Sequence, residues 1–208
     1  MTAPSRMTAS GQDPFARATV GEPVRSSCAR LAAILVCGPA RSGKSEWAER
    51  LARDSGRAVV YVATAREDPD DADWSARIQA HRVRRPPDWM TLCAPTELES
   101  AIEAHSTSDR CLLVDSLGTW VANLIELSEE DWSSRVEGLL DALERTSALV
   151  ILVAEETGWG VIPAYPVGRL FRDRLGALAR RLGPRCSAAY LVSGGHALDL
   201  SRLGVPVD

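Results

Sequence analysis

The sequence predicts an α/β fold with a mainly parallel central sheet flanked by helices, on three observations. An apolar run, Ile34-Leu35-Val36, ends in Gly38-Pro39-Ala40-Arg41-Ser42-Gly43-Lys44-Ser45 and passes directly into a segment whose Trp47, Ala48, Leu51 and Ala52 share a helical face. Further apolar runs at 58–63, 111–115, 148–154 and 189–192 alternate with helical stretches, the order that builds a parallel sheet with helices on both faces. Two of those runs end in carboxylates, at Asp115 and at Glu155-Glu156, and open α/β sheets bind ligands at the carboxyl ends of their strands.

The spacing G-x-x-x-x-G-K-S defines a phosphate loop. Its glycines let backbone N–H groups turn inward around phosphate oxygens, where a Cβ would crowd them. Lys44 then reaches the β- and γ-phosphates, Ser45 can ligate Mg²⁺, and the positive end of the following helix favours an anion there. The segment therefore predicts binding of a nucleoside triphosphate.

Composition narrows the class. The chain of 208 residues predicts one domain, 31–208, of roughly 180 residues, behind an extension over 1–30. That extension carries Pro, Ser, Thr, Gly and Arg without apolar periodicity, so it is expected to stay disordered, and Met7 is as good a start as Met1. With 45% hydrophobic residues, no apolar run near the ~20 residues of a membrane helix, and no signal-peptide core, the expectation is a soluble, cytoplasmic protein. A net charge of −4 argues against general nucleic-acid affinity. Cys28, Cys37, Cys93, Cys111 and Cys186 are scattered without zinc spacing and read as reduced thiols.

Along the chain, Ala58–Ala63 reads as a buried strand followed by Thr64, Ala65 and Arg66. Trp74, Ile78 and His81 recur at i, i+4 and i+7, so His81 lies on the face of a helix that carries its apolar residues; Pro86-Pro87 stops that helix. Residues 89–93 predict a short strand, and Thr96 with Glu99 a capping box opening a helix through His105. Cys111–Asp115 is an apolar strand ending in a carboxylate, the form of a Walker B element whose Asp115 holds Mg²⁺ directly or through water. Trp120, Val121, Leu124 and Leu127 continue at helical spacing over 117–127, and Ser128 with Asp131 caps the next helix, whose Trp132, Val136, Leu139, Leu140 and Leu143 face the core. After the strand at 148–154, a long loop leads to a helix over 169–182, and the strand at 189–192 closes the sheet before Ser193-Gly194-Gly195.

Three histidines are available. His105 ends a helix, where a protonated ring suits the dipole, and His196 follows Gly-Gly in a loop. His81 has two readings: a packing residue beside Trp74 and Ile78, or a nucleophile. Arg82, Arg84 and Arg85 beside it favour the second, because guanidiniums bind polyphosphate oxygens, stabilise a leaving group and discourage protonation of the ring.

With these residues in place, the chain resembles the bifunctional adenosylcobinamide kinase/adenosylcobinamide-phosphate guanylyltransferases of cobalamin biosynthesis. The resemblance spans about residues 33–200 and rests on ILVCGPARSGKSEWAE, VVYVAT, ARIQAHRVRRPPDW, LLVDSLGTWVANL, VAEETGWGVIP and GRLFRDRLG, in that order. It implies a RecA-like P-loop NTPase fold, a homotrimer, adenosylcobinamide with GTP and ATP as substrates, and Mg²⁺. It implies that His81 becomes guanylylated, that Gly38 to Ser45 form the phosphate loop, and that Thr64, Ala65 and Arg66 with Arg82, Val83, Arg84 and Arg85 contribute to GTP binding. The chain departs from the family at Pro39, at Cys93, where a glutamate is usual, and at Gly176-Ala177-Leu178-Ala179, where the family has Gly-Arg-x-Asn. The alternative readings are a P-loop kinase of another small metabolite and a regulatory module that binds nucleotide without transfer chemistry. Labelled GTP separates them by covalent label, substrate phosphorylation only, or reversible binding only.

Overall fold

Successive side chains of a strand face opposite sides of a sheet, and here both sides are apolar. Val60, Val62, Leu112, Val114, Val150 and Leu152 pack into one core, while Val59, Tyr61, Cys111, Leu113, Ile151 and Val153 pack into another. That is why these runs read as continuously hydrophobic, and it requires helices on both faces. The computed structural model describes residues 30–66, 68 and 70–207; apart from Arg30, the extension predicted over 1–30 lies outside them.

Seven strands form one sheet: β1 (Leu31–Gly38), β2 (Ala58–Ala63), β3 (Met90–Cys93), β4 (Arg110–Asp115), β5 (Leu149–Glu155), β6 (Cys186–Ser193) and β7 (His196–Asp199). Their order is β3-β2-β4-β5-β1-β6-β7, and every pairing is parallel except β6 with β7. One strand, β5, is thus inserted between the phosphate-loop strand β1 and the Asp115 strand β4, the RecA-like arrangement. The register aligns Gly38 with Glu155, and Asp115 with Val153 and Ala63. The phosphate loop and both strand-end carboxylates consequently emerge on one edge.

The helices are α1 (Lys44–Asp54), α2 (Ala72–Arg84), α3 (Leu98–Ala104), α4 (Leu117–Asn123), α5 (Glu129–Arg145), α6 (Pro166–Leu182) and α7 (Leu200–Leu203). On one face α3 to α6 bury Leu98, Ile102, Trp120, Leu139, Leu140, Leu143, Leu175 and Leu178. Each such leucine contributes roughly 1.5–3 kcal/mol by leaving water. On the other, α1 lays Ala48 and Ala52 on the sheet, small residues that bring the phosphate-loop helix close. The cap predicted for α5 is present, with the Ser128 hydroxyl accepting from the Asp131 N–H at 3.1 Å. No helix among the described residues is long and apolar enough to cross a membrane.

Several local expectations are corrected. The Thr96/Glu99 capping box does not form: Glu97 is the N-cap of α3 without a side-chain bond, Thr96 donates to the Glu97 carboxylate at 2.6 Å, and Glu99 pairs with Arg135. A capping box forms instead at Ser116 and Thr119, opening α4, which ends at Asn123 rather than running on to Leu127. The turn after it is held by Arg174 of α6, which donates to the carbonyls of Leu124, Ile125 and Leu127 at 3.3, 3.1 and 2.9 Å. Helix α6 starts three residues before the predicted 169, with Pro166 at its first position, where a missing N–H costs nothing. The sheet does not close at 192. Gly194 and Gly195, at φ 57° and 76°, make a two-residue turn that adds β7 as an antiparallel edge, so His196 opens a strand. His105 is the C-cap residue of α3, as expected, and its Nδ1 is in contact with the Arg110 guanidinium.

Candidate active site

The phosphate loop turns where β1 meets β6. A Cβ on Gly38 would lie 2.5 Å from both the Val192 carbonyl oxygen and Ser42 Oγ, so the loop closes only over a glycine. Pro39 supplies its carbonyl, which the Ser42 N–H and Lys44 Nζ approach at 3.3 and 3.4 Å. Lys44 is only 5% exposed, a nearly dry ammonium folded over its own loop and ready to exchange a carbonyl for a phosphate oxygen.

Beyond the loop, four elements meet at Asp115. Its Oδ1 accepts from Ser45 Oγ of α1 at 3.4 Å, its Oδ2 accepts from the Tyr61 hydroxyl of β2 at 2.7 Å, and His81 Nδ1 of α2 stands 3.3 Å from the same Oδ2. Burial pushes the Asp115 carboxyl up, but the bonds from His81 and Tyr61 and the charges of His81 and Lys44 outweigh it, and the group is held below its ordinary value. Burial, reinforced by the Asp115 charge, drives the Tyr61 hydroxyl strongly upward, so it remains a donor. Ser45 and Asp115 give a hydroxyl and a carboxylate oxygen side by side next to Lys44. That hard, sparse donor set suits Mg²⁺, which keeps waters and takes its remaining ligands from phosphates. Among the described residues no cluster of three or more His, Cys, Asp or Glu is placed for a metal.

Helix α2 is capped by Asp71, which accepts from the Trp74 N–H at 2.8 Å, and is held to the end of β2 by Trp74 Nε1 donating to the Arg66 carbonyl at 2.9 Å. Its apolar face is not turned to a core. Trp74, Ile78 and His81 line a cleft of about 1280 Å³ together with the phosphate loop. His81 therefore stands in the cleft wall together with Trp74 and Ile78, the residues beside which the packing reading placed it.

The arginines divide. Arg82 and Arg85 line the cleft, and the Arg85 guanidinium carbon sits 3.4 Å from the centre of the Tyr61 ring. Arg84 also borders the cleft, but its Nε and Nη2 bind Glu49 at 2.8 to 3.1 Å and its Nη1 binds Glu46 at 2.9 Å. Burial lowers and Glu49 raises its basicity, and the carboxylate prevails. Arg84 thus ties α2 to the phosphate-loop helix. Arg41, Ala65 and Arg66 line the cleft. Val83, 75% exposed, is not among the lining residues. Thr64 is fully buried behind the site, where its hydroxyl donates to the Ser116 carbonyl at 2.7 Å and accepts from the Ser116 N–H at 2.9 Å. Its hydroxyl holds the Asp115–Ser116 turn, and Thr64 is not among the residues lining the cleft.

Sequence reasoning passed over Tyr61, Glu49 and Gly118. Tyr61 is hidden within an apolar strand, and Glu49 within an ordinary helix. Glu155, the strand-end carboxylate of β5, has its Oε2 held by the Gly118 N–H at 3.0 Å and borders the cleft. Cys93, at the end of β3, also lines the cleft.

The family model for cobinamide kinase / cobinamide phosphate guanyltransferase matches residues 34–200. The chain belongs to that family. It is 39% identical over 167 residues to the bifunctional adenosylcobalamin biosynthesis protein CobP of Pseudomonas aeruginosa, covering 80% of this chain and 95% of the relative. The CobU proteins of Salmonella typhimurium and Escherichia coli are 35% and 33% identical, each comparison covering 80% of this chain and 98% of theirs. A solved chain from Pyrococcus horikoshii OT3 superposes with a TM-score of 0.51 over 86% of this chain and 89% of its own at 8% identity, a likeness of fold alone. Within the cobinamide kinase/guanyltransferase family, the cleft described above joins the phosphate loop, Asp115 and His81 in one space.

Proposed function

We propose that this chain phosphorylates the aminopropanol hydroxyl of adenosylcobinamide with ATP or GTP and then transfers GMP from GTP to that phosphate, giving adenosylcobinamide-GDP. That it is a kinase and nucleotidyltransferase of cobalamin biosynthesis follows from its family. The observation that carries the residue assignment is the position of His81, in the wall of the phosphate-loop cleft with Nδ1 3.3 Å from Asp115.

Arg84 Nη2 also stands 3.4 Å from Nδ1, but that nitrogen is already bound to Glu49 at 2.8 Å. The Asp115 carboxylate is the stronger claimant and takes the Nδ1 proton as a hydrogen bond, which leaves the Nε2 lone pair free. In the guanylyl step Nε2 attacks the α-phosphorus, a P–N bond forms, and pyrophosphate leaves with the electron pair of the broken P–O bond. The cobinamide phosphate oxygen then displaces His81 from that phosphorus. Lys44, Arg82 and Arg85 face the polyphosphate charge. Ser45 and Asp115 would hold Mg²⁺, which when bound would neutralise charge on the phosphate oxygens.

The assembly is proposed to be a cytoplasmic homotrimer with a domain over 31–208 and a dispensable extension over 1–30. Exposed Trp159, Val161, Ile162, Tyr165 and Val167 give the apolar surface such an assembly needs. Assaying purified protein with adenosylcobinamide and each nucleotide tests the function: both adenosylcobinamide phosphate and its GDP product are expected. Phosphorylation alone would reduce the chain to a kinase.

A further inference from the structure

A smaller cavity, of about 320 Å³, lies beside the cleft, and Glu155 belongs to the walls of both. Its volume falls at the low end of the ~300–1,000 Å³ usual for small-molecule pockets. One wall is the α6 stretch Gly176, Ala177 and Ala179, whose small side chains leave the space open; Glu156, Arg172 and Asp173 give it polar groups. We propose that this cavity receives the hydroxyl-bearing arm of the alcohol substrate, and that Glu155 accepts the hydroxyl proton during phosphoryl transfer. The proposal rests on the kinase reading above.

Three observations place Glu155 for this. It ends β5 in register with Gly38, and the next residue's N–H donates to the Gly38 carbonyl at 2.9 Å, so the carboxylate is rooted at the first residue of the phosphate loop. Its Oε2 is fixed by the Gly118 N–H, and a Cβ at 118 would lie 2.0 Å from that oxygen, so this approach exists only over a glycine. A carboxylate offers about four acceptor sites, and one backbone bond leaves room for a substrate hydroxyl. The short aminopropanol arm fits the cavity, whereas the corrin ring exceeds it and stays outside.

The step balances simply. The hydroxyl oxygen forms a bond to the γ-phosphorus, and the bond from that phosphorus to the β,γ-bridging oxygen breaks. The nucleoside diphosphate leaves with the electron pair, and the hydroxyl proton passes to Glu155 and then to water. Formation of the His81 adduct needs no such acceptor, since a neutral imidazole nitrogen attacks with its own lone pair. The two activities therefore separate Glu155 from a merely structural carboxylate.

The test compares wild type, E155A, E155Q and G176F by two readouts, cobinamide phosphorylation and labelling of His81 by α-labelled GTP. The ratio of phosphorylation to labelling is expected to fall by about 100-fold or more in E155A, within the range for a lost proton acceptor. In E155Q the fall is expected to be as large, because the amide oxygen keeps the Gly118 bond and can orient a hydroxyl but cannot take its proton; a ratio within 3-fold of wild type there overturns the proton-accepting role. A Cβ at Gly176 meets nothing within 4 Å, and losing a mid-helix glycine favours the helix, so G176F folds and fills the cavity. Its KM for cobinamide is expected to rise at least 10-fold relative to its KM for nucleotide. A ratio within 3-fold of wild type in E155A, or an unchanged KM ratio in G176F, overturns the proposal while leaving the kinase reading in place. A wild-type protein that labels His81 but phosphorylates no cobinamide overturns both.

Discussion

His81 Nδ1 lies 3.3 Å from Asp115 Oδ2, and the same carboxylate receives Ser45 at its other oxygen. One side chain thereby couples the metal position to the orientation of the imidazole. Asp115→Asn is expected to raise the Mg²⁺ concentration needed for half-maximal activity and to slow labelling of His81 by at least about 100-fold. The amide can donate to Nδ1, which moves the ring proton to Nε2 and blocks attack. An unaltered Mg²⁺ titration and labelling rate would refute the coupling.

Lys44→Ala is expected to lower phosphoryl transfer by at least about 100-fold, the order of ~3 kcal/mol lost when one preorganised donor is removed. Its native contact is one long bond to the Pro39 carbonyl, so the thermal midpoint should move little. Retained phosphorylation would contradict the loop assignment.

Arg84→Ala leaves Glu49, 2% exposed, without the guanidinium that neutralises it. Breaking such a pair costs ~3–5 kcal/mol when both partners are buried, and about 2 kcal/mol is expected here because Arg84 is partly exposed. The loss should appear in denaturant melts and be largely recovered in Arg84→Ala/Glu49→Gln. Equal stability of the single variant and wild type would show that the tie does not hold α2.

Burial pushes the Cys37 and Cys186 thiols up to about 12 and Cys111 to about 11. With folded values above the ordinary thiol range, these groups stay protonated at pH 8 and form the reactive thiolate only as the pH rises towards those values. Cys93 is exposed in the cleft wall. Iodoacetamide at pH 8 should therefore modify Cys93 and spare Cys37, Cys111 and Cys186, and GTP should slow the reaction. Modification of Cys111 and Cys186, both buried, or of the partly buried Cys37 in the folded protein would contradict this reading.

The elements that carry strong local signals were legible. The phosphate loop, β2, β4, β5 and the stripe of α5 follow from apolar runs and periodicity, and strand-end Asp115 follows from its place after one of them. The hairpin at Gly194-Gly195 was missed because His196–Asp199 is short and only half apolar, although the glycine pair is itself a turn signal. The capping box went to Thr96 instead of Ser116 because Thr96-x-x-Glu99 matches the motif better, and tertiary pairing of Glu99 with Arg135 overrode it. For α2 the periodicity held and left two readings of His81 open, because a cleft and a core present the same apolar stripe. Contacts between distant segments, such as Tyr61 with Asp115 and Arg84 with Glu49, leave no mark in local sequence.

Both proposed activities of the cleft are told apart by the covalent chemistry of His81. Incubation with Mg²⁺ and GTP labelled at the α-phosphate should leave an acid-labile, comparatively base-stable adduct on the Nε2 of His81. His81→Ala should lose the adduct and guanylyl transfer while still phosphorylating the alcohol, and His105→Ala and His196→Ala should keep the adduct. A label that resists acid, or that persists in His81→Ala, would contradict the assignment.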